Sequence, residues 1–273
     1  MRAFFLIILL QIISWSVSIL NCPAQTVLTN AHAHNDYWHT RPLWQSLENG
    51  FMSVEADCHL IEGRMLVAHE KVFTKKRRTL QKLYLNPLME RVKENNPDSS
   101  LDRSVYKTGE QEFILYVDIK ADCENFIPHL DSVLKNYDVM LTKFVDGKKI
   151  TGSVRVLVDH CGDDNYVLNS NPRYLSLSGN LNDAEKKNGE DIMPRISFSY
   201  NSLLQWKGKG EMPEDEKQEL KAFTQNVHSN GYEVRMWAAG NKKKVWKELV
   251  AAGVDWINVD RLKKFRKFMT EKD

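Results

Sequence analysis

The sequence predicts an α/β fold, a single (β/α)8 barrel of the TIM type, regular or distorted. Three observations carry this. Eight short apolar runs recur along the 273 residues, helical stretches lie between several of them, and acidic or imidazole side chains stand at the ends of the early runs. Strand then helix, repeated, implies parallel strands with crossover helices. Eight such strands in about 250 residues suit a closed barrel, with a doubly wound open sheet as the competing architecture.

The elements are expected in the following order. Residues 1–24 read as a secretory signal peptide rather than a membrane anchor. Arg2 precedes an apolar run from Ala3, Gln11 and several serines interrupt it, and Cys22-Pro23-Ala24 offers a small-residue cleavage site. A lipoprotein cut before Cys22 is disfavoured by Asn21. An exported protein, periplasmic or extracellular, is therefore expected, with no stable membrane anchor after cleavage. Residues 25–273 then form the barrel. Its strands are expected at Val27–Ala33, Phe51–Cys58, Glu112–Ile119, Ser153–His160, Tyr174–Ser178, Arg195–Ser199, Glu233–Ala238 and Asp255–Val259. Helices are expected at Pro42–Glu48, Leu80–Lys93, Asn125–Leu141, Asp215–Ser229, Lys242–Ala252 and Arg261–Glu271. Helical signal is weak between residues 160 and 195. The stretch Phe73–Gln111 is too long for a bare loop, and Leu80–Lys93 makes it a helical excursion beside the barrel mouth.

A net charge of +2 points to no nucleic-acid partner. The basic clusters Lys75–Arg78, Lys242–Lys244 and Lys263–Lys267 read as solvated helix faces. Past Ala24 three cysteines remain, Cys58, Cys123 and Cys161, so at least one thiol is free. A Cys58–Cys123 bridge and buried free cysteines both stay open. The oligomeric state is not legible.

The chemistry lies in where polar residues fall on the strands. Alternation along Phe51–Cys58 places Ser53, Glu55 and Asp57 on one face and Met52, Val54, Ala56 and Cys58 on the other. In a barrel the apolar face meets the helices, so two carboxylates point inward at a C-terminal strand end, where barrel active sites sit. Phe113–Ile119 repeats the pattern, with Tyr116, Asp118 and Lys120 sharing one face. Buried carboxylates are costly unless paired or bound to a cation. Glu55, Asp57 and Asp118, an all-oxygen set, suit one hard divalent ion, Mg2+ or Ca2+; a structural ion pair of Asp118 with Lys120 is the alternative. His32 ends the first strand. His69 closes an expected hairpin from His59 that turns at Gly63. Imidazoles titrate near neutrality, so this pair can act as base and acid about one phosphorus. His39, His59, His129 and His228 read as surface or packing residues; His34 and His160 stay open.

The pattern His32-x-x-Asn35, Glu55-x-Asp57, a hairpin to His69, then Asp118-x-Lys120 resembles the superfamily of glycerophosphodiester phosphodiesterases, phosphatidylinositol-specific phospholipase C and the spider-venom phospholipase D enzymes. Within it, His32–Trp38, Ser53–Asp57 and the Leu83–Leu88 stretch resemble the branch of the altered inheritance of mitochondria protein 6 family. The resemblance implies a TIM barrel with one ion on Glu55, Asp57 and Asp118, and His32 and His69 as acid/base catalysts. It also implies Asn35, Lys120 and Trp237 at the substrate. One departure stands out. Glycerophosphodiesterases carry His-Arg and a following Glu-Asn-Thr, whereas Ala33 follows His32 here and Tyr37-Trp38-His39 takes the place of the second motif. The expected activity is metal-dependent cleavage, by hydrolysis or cyclisation, of a small-molecule or lipid-derived phosphodiester. Two rivals are a zinc-dependent hydrolase using His32-x-His34 with His160 and Asp260, and a non-catalytic binding barrel.

Overall fold

The computed structural model describes residues 25–95, 104–107, 111–120, 122–159, 161, 164–186 and 191–271. Its strands are β1 (Leu28–Ala33), β2 (Phe51–Ile61), β3 (Arg64–Val67), β4 (Phe113–Ile119), β5 (Lys143–Val145), β6 (Lys148–Ile150), β7 (Val154–Asp159), β8 (Leu175–Gly179), β9 (Arg195–Ser199), β10 (Glu233–Trp237) and β11 (Trp256–Val259). The helices are α1 (Trp44–Glu48), α2 (Asn86–Asn95), α3 (Cys123–Leu134), α4 (Asn165–Asn169), α5 (Glu214–Ser229), α6 (Lys243–Ala251) and α7 (Leu262–Thr270).

Eight of these strands close a parallel barrel in the order β1, β2, β4, β7, β8, β9, β10, β11 and back to β1. All eight fall where the apolar runs predict. The long β2 serves three neighbours: β1 near its start, β4 over Ser53–Cys58, and β3 in an antiparallel ribbon beyond the barrel rim. That ribbon turns through Glu62 and Gly63, both with positive φ (49° and 68°), as a two-residue hairpin of this twist requires. A β-carbon at Gly63 would meet nothing within 4 Å, so backbone conformation rather than space selects glycine there.

The helix layer is uneven, which is the distortion of the barrel. α5 carries Glu214, Asp215 and Glu216 in its first turn and His228 in its last, matching the helix dipole, and buries Leu220, Thr224 and Val227 along one stripe. α7 buries Leu262 and Phe265, with the Phe265 ring against Trp246 of α6 and Phe51 of β2. The β8–β9 connection, by contrast, holds only a 3-10 turn, Leu181–Asp183, among the described residues. The expected helix Leu80–Lys93 begins as a π-helical turn, Gln81–Leu85, and the expected Asn125–Leu141 helix ends in a 3-10 turn, Lys135–Met140. The β5–β6 ribbon and α4 were not expected. Their runs are three to five residues long, too short for periodicity to register.

The cysteine pairing differs from the expected candidate. Cys123, the first residue of α3, is bonded to Cys161, while Cys58 is the free thiol. Cys58 lies on the helix-facing side of β2 and is sealed in the core, where burial pushes its pKa well up.

Candidate active site

The inward faces of the strands are strongly polar. Along β2, Ser53, Glu55 and Asp57 follow one another toward the C-terminal end, and parallel register sets Glu55 beside Tyr116 and Asp57 beside Asp118. One oxygen from each of Glu55, Asp57 and Asp118 lies within 4.8 Å of the others. These carboxylates line a cavity of about 380 Å3 at the barrel mouth, together with His34, His69 and Arg235. Asn35, Lys120 and Trp237 also reach this cavity.

Each carboxylate has a different environment. Glu55 takes Arg235 and His32 on one oxygen, Oε2. Burial opposes its ionisation, but the Arg235 charge and the His32 hydrogen bond win and hold it well below the usual carboxylate range. Asp57 is pushed above that range by burial and then by the charges of Asp118 and Glu55. Its Oδ2 meets His69 Nδ1 at 2.7 Å and Lys120 Nζ at 3.5 Å, while its buried Oδ1 has no hydrogen-bond partner. Lys120 also donates to Asp118 Oδ2 at 2.8 Å. Burial works against its ammonium, yet the Asp118 hydrogen bond and charge lift its pKa above the ordinary value. An all-oxygen set of three crowded acids, one of them with an unpaired buried oxygen, fits a hard divalent ion.

The histidines separate by depth. His32 is fully buried below the cavity, and both ring nitrogens are engaged. An ionised carboxylate only accepts, so Nε2–H donates to Glu55 Oε2 (3.0 Å) and the Ser53 hydroxyl donates to Nδ1 (2.7 Å). Burial, with the Arg235 charge next, holds its pKa well below that of free imidazole. This is not the place on the cavity wall that the sequence suggested. The chain runs two residues further before it reaches the mouth, and His34 stands there. His34 Nδ1 donates to Asp260 Oδ1 at 2.6 Å, and Asn35 Nδ2 donates to His34 Nε2 at 3.1 Å. Burial lowers its pKa, but the Asp260 hydrogen bond together with the charges of Glu55 and Asp260 outweighs that and raises it. His69 is likewise backed at Nδ1 by a carboxylate, Asp57. His59 donates to the Ala68 carbonyl and His228 pairs with Asp255, the packing and surface roles expected of them.

Several site residues were not picked out from sequence. Arg235 donates to Glu55 and to Asn258 Oδ1 (2.7 Å), and its guanidinium lies 4.7 Å from the Tyr116 ring centre. Its signal was available, because alternation sets Arg235 on the face of Trp237. Asp159 ends β7 on the cavity wall, where burial and then the Asp118 charge push its pKa up to about 7. Asp36 is fully buried and accepts from Leu43 N (2.5 Å), the Ser46 hydroxyl and the Tyr84 hydroxyl (3.0 Å). It ties the turn after β1 to the excursion before α2, and so connects two of the sequence motifs. Asp36→Ala leaves those donors unpaired and is expected to cost on the order of 3 kcal/mol, read as a lower urea midpoint. An unchanged midpoint would show that Asp36 does not hold the turn.

A zinc site on His32 and His34 gains no support. The His32 ring is buried and committed at both nitrogens to Ser53 and Glu55, and His34 is held at Nδ1 by Asp260. Among the described residues the group whose side-chain ligand atoms converge closely enough to hold a metal is Glu55, Asp57 and Asp118. His160 lies outside the described residues.

Comparison with known proteins follows the same line. A family model described as the AIM6-like phosphodiesterase domain matches residues 22–175, more than half of the chain. The chain is 28% identical over 274 residues to Altered inheritance of mitochondria protein 6 of Eremothecium gossypii, covering 89% of this chain and 70% of that protein. It is 29% identical over 255 residues to the homolog in Arthroderma benhamiae, covering 84% and 80%. Among solved structures it resembles a glycerophosphodiester phosphodiesterase from Parabacteroides distasonis, with 14% identity, a TM-score of 0.51 and coverage of 91% and 99%. It also resembles an Oleispira antarctica phosphodiesterase in complex with its product sn-glycerol-3-phosphate, with 13% identity, a TM-score of 0.50 and coverage of 89% and 98%. At such identities the structural likeness shows the fold. The relatives correct the expected localisation. Their name concerns the inheritance of mitochondria, organelles inside the cell, which overturns the periplasmic or extracellular assignment. The signal-peptide reading falls on residues 1–24, outside the described residues. Among the described residues no helix is long and apolar enough to cross a membrane.

Proposed function

Because the chain belongs to the AIM6-like phosphodiesterase domain family, we propose that its barrel mouth cleaves a phosphodiester, with His34 and His69 moving the protons. The observation that carries this is one cavity whose wall holds two imidazoles, each backed at Nδ1 by a carboxylate, beside three converging acids. A carboxylate at Nδ1 fixes the tautomer and stabilises the imidazolium that forms when Nε2 takes a proton. Glu55, Asp57 and Asp118 would hold one divalent cation, Mg2+ or Ca2+. When bound, that ion supplies positive charge beside the phosphate oxygens.

One imidazole takes the proton of the attacking hydroxyl as its oxygen bonds to phosphorus. The other gives a proton to the leaving alcohol as the second P–O bond breaks. Attack by water yields a phosphomonoester, and attack by a neighbouring substrate hydroxyl yields a cyclic phosphate. Lys120 adds a second positive charge near the same oxygens, with Asn35 and Trp237 contacting the substrate. His32 acts beneath them, holding Glu55 in place with Arg235. The substrate class proposed is a small-molecule or lipid-derived phosphodiester, in keeping with the product sn-glycerol-3-phosphate found in complex with one structural neighbour.

The test is a panel of bis-p-nitrophenyl phosphate, glycerophosphodiesters and lysophospholipids, each with Mg2+, Ca2+ or neither. Release of alcohol with either ion is the expected result. Silence across the panel, with the metal bound, would favour a binding barrel instead.

A further inference from the structure

Beyond the cavity, the chain from His69 to Arg78 forms a loop pinned at its base. Val67 N donates to Arg78 O at 2.8 Å, Leu66 bridges Thr79, and the Arg78 guanidinium donates to the Tyr37 carbonyl. At the tip a 3-10 turn, Lys71–Phe73, holds Val72 82% exposed and Phe73 68% exposed. Trp38, 66% exposed, stands edge-on to the His69 ring with centroids 5.9 Å apart. Trp38, Phe73, Lys75 and Arg78 line a second groove, of about 490 Å3, and His69 lines both this groove and the cavity. The apolar rim is therefore continuous with the proposed chemistry.

Three large apolar side chains held in water at one rim mark an interaction surface, since ordinary surfaces scatter such residues singly. The surrounding charge identifies the partner. Lys71, Lys75, Lys76 and Arg77 are exposed and Arg78 is half-buried, against Glu70 as the only acid from His69 to Arg78. Lys76 lies 4.0 Å from Glu62 on the hairpin, with both side chains exposed. A chain of net charge +2 thus concentrates positive charge around its most exposed apolar tip. An aromatic and aliphatic tip ringed by long cationic side chains suits a lipid–water interface: the tip enters the acyl boundary while the ammonium groups stay among the phosphates.

We propose that Trp38, Val72 and Phe73, with the cations of Lys71–Arg78, dock the protein on a bilayer surface containing anionic lipids. His69 and the cavity mouth then face the headgroup layer. The docking stands by itself; only the delivery of lipid phosphodiesters to the cavity rests on the proposed phosphodiesterase function.

The experiment is co-sedimentation of the full chain with phosphatidylcholine vesicles, with and without phosphatidylserine, at low and physiological salt. Binding that requires phosphatidylserine and weakens with salt is expected. Lys75→Glu/Lys76→Glu is expected to weaken it at least tenfold, at about fivefold for each cation removed. Val72→Ser/Phe73→Ser is expected to weaken it tenfold or more. These side chains are exposed, so both variants should keep the wild-type melting temperature and the wild-type turnover of a soluble phosphodiester. If the soluble assay shows no turnover, vesicle binding still tests the docking. Absent vesicle binding, binding indifferent to both double variants, or a dimer that Val72→Ser/Phe73→Ser dissociates without any vesicle binding would each overturn the proposal.

Discussion

Replacing His69 with alanine is expected to lower kcat on a soluble phosphodiester by at least about 10²-fold, the scale of general acid–base catalysis. KM should change far less, because the imidazole moves a proton in the transition state rather than anchoring the substrate. His34→Ala is expected to match it. The pair should be non-additive, since losing either proton carrier already stalls the reaction. The comparison that decides between the histidines is His32. Its ring is buried and fully hydrogen-bonded beneath Glu55, so His32→Ala should lower the unfolding midpoint along with activity, whereas His34→Ala and His69→Ala should leave the fold intact. Full activity in both His34→Ala and His69→Ala would end the two-imidazole mechanism. Full activity in His34→Ala alone, with a dead and stably folded His32→Ala, would return the role to His32.

Chelation of divalent ions is the second large effect. EDTA is expected to remove turnover, with recovery on adding Mg2+ or Ca2+. The physical reason is the crowding of Glu55, Asp57 and Asp118, whose oxygens lie within 4.8 Å of one another, with Arg235 paired to Glu55 and Lys120 to Asp57 and Asp118. The ion should also show without any assay of activity. Binding to the folded state alone adds about 2.7 kcal/mol at a hundredfold excess over Kd. For a chain of this size that is on the order of 5–10 °C in Tm. Asp118→Asn should abolish most of that rise, because it removes one of the three anionic donors, and the fold should tolerate it because Asp118 is the least buried of them. A Tm indifferent to both ions, together with undiminished turnover in EDTA, would remove the cation from the mechanism.

The sequence by itself determined the barrel strands and the acid pair on β2. Both follow from local rules: apolar runs mark buried strands, and an alternation of two sends Glu55 and Asp57 to the face opposite Val54 and Ala56. The hairpin to His69 was equally local, because Gly63 supplies the positive φ its turn needs. What only the tertiary structure decided involves partners far apart along the chain. His32 and His34 share one face of β1 and its extension, so alternation cannot say which reaches the cavity; the depth of β1 against β2 and β11 decides it. Arg235 meets Glu55 across 180 residues, Asp260 backs His34 across 226, and Tyr84 meets Asp36 across 48. Cys123 bonds to Cys161 rather than to Cys58 for the same reason. Barrel closure sets these distances, and closure is a property of eight strands in register that no single segment carries.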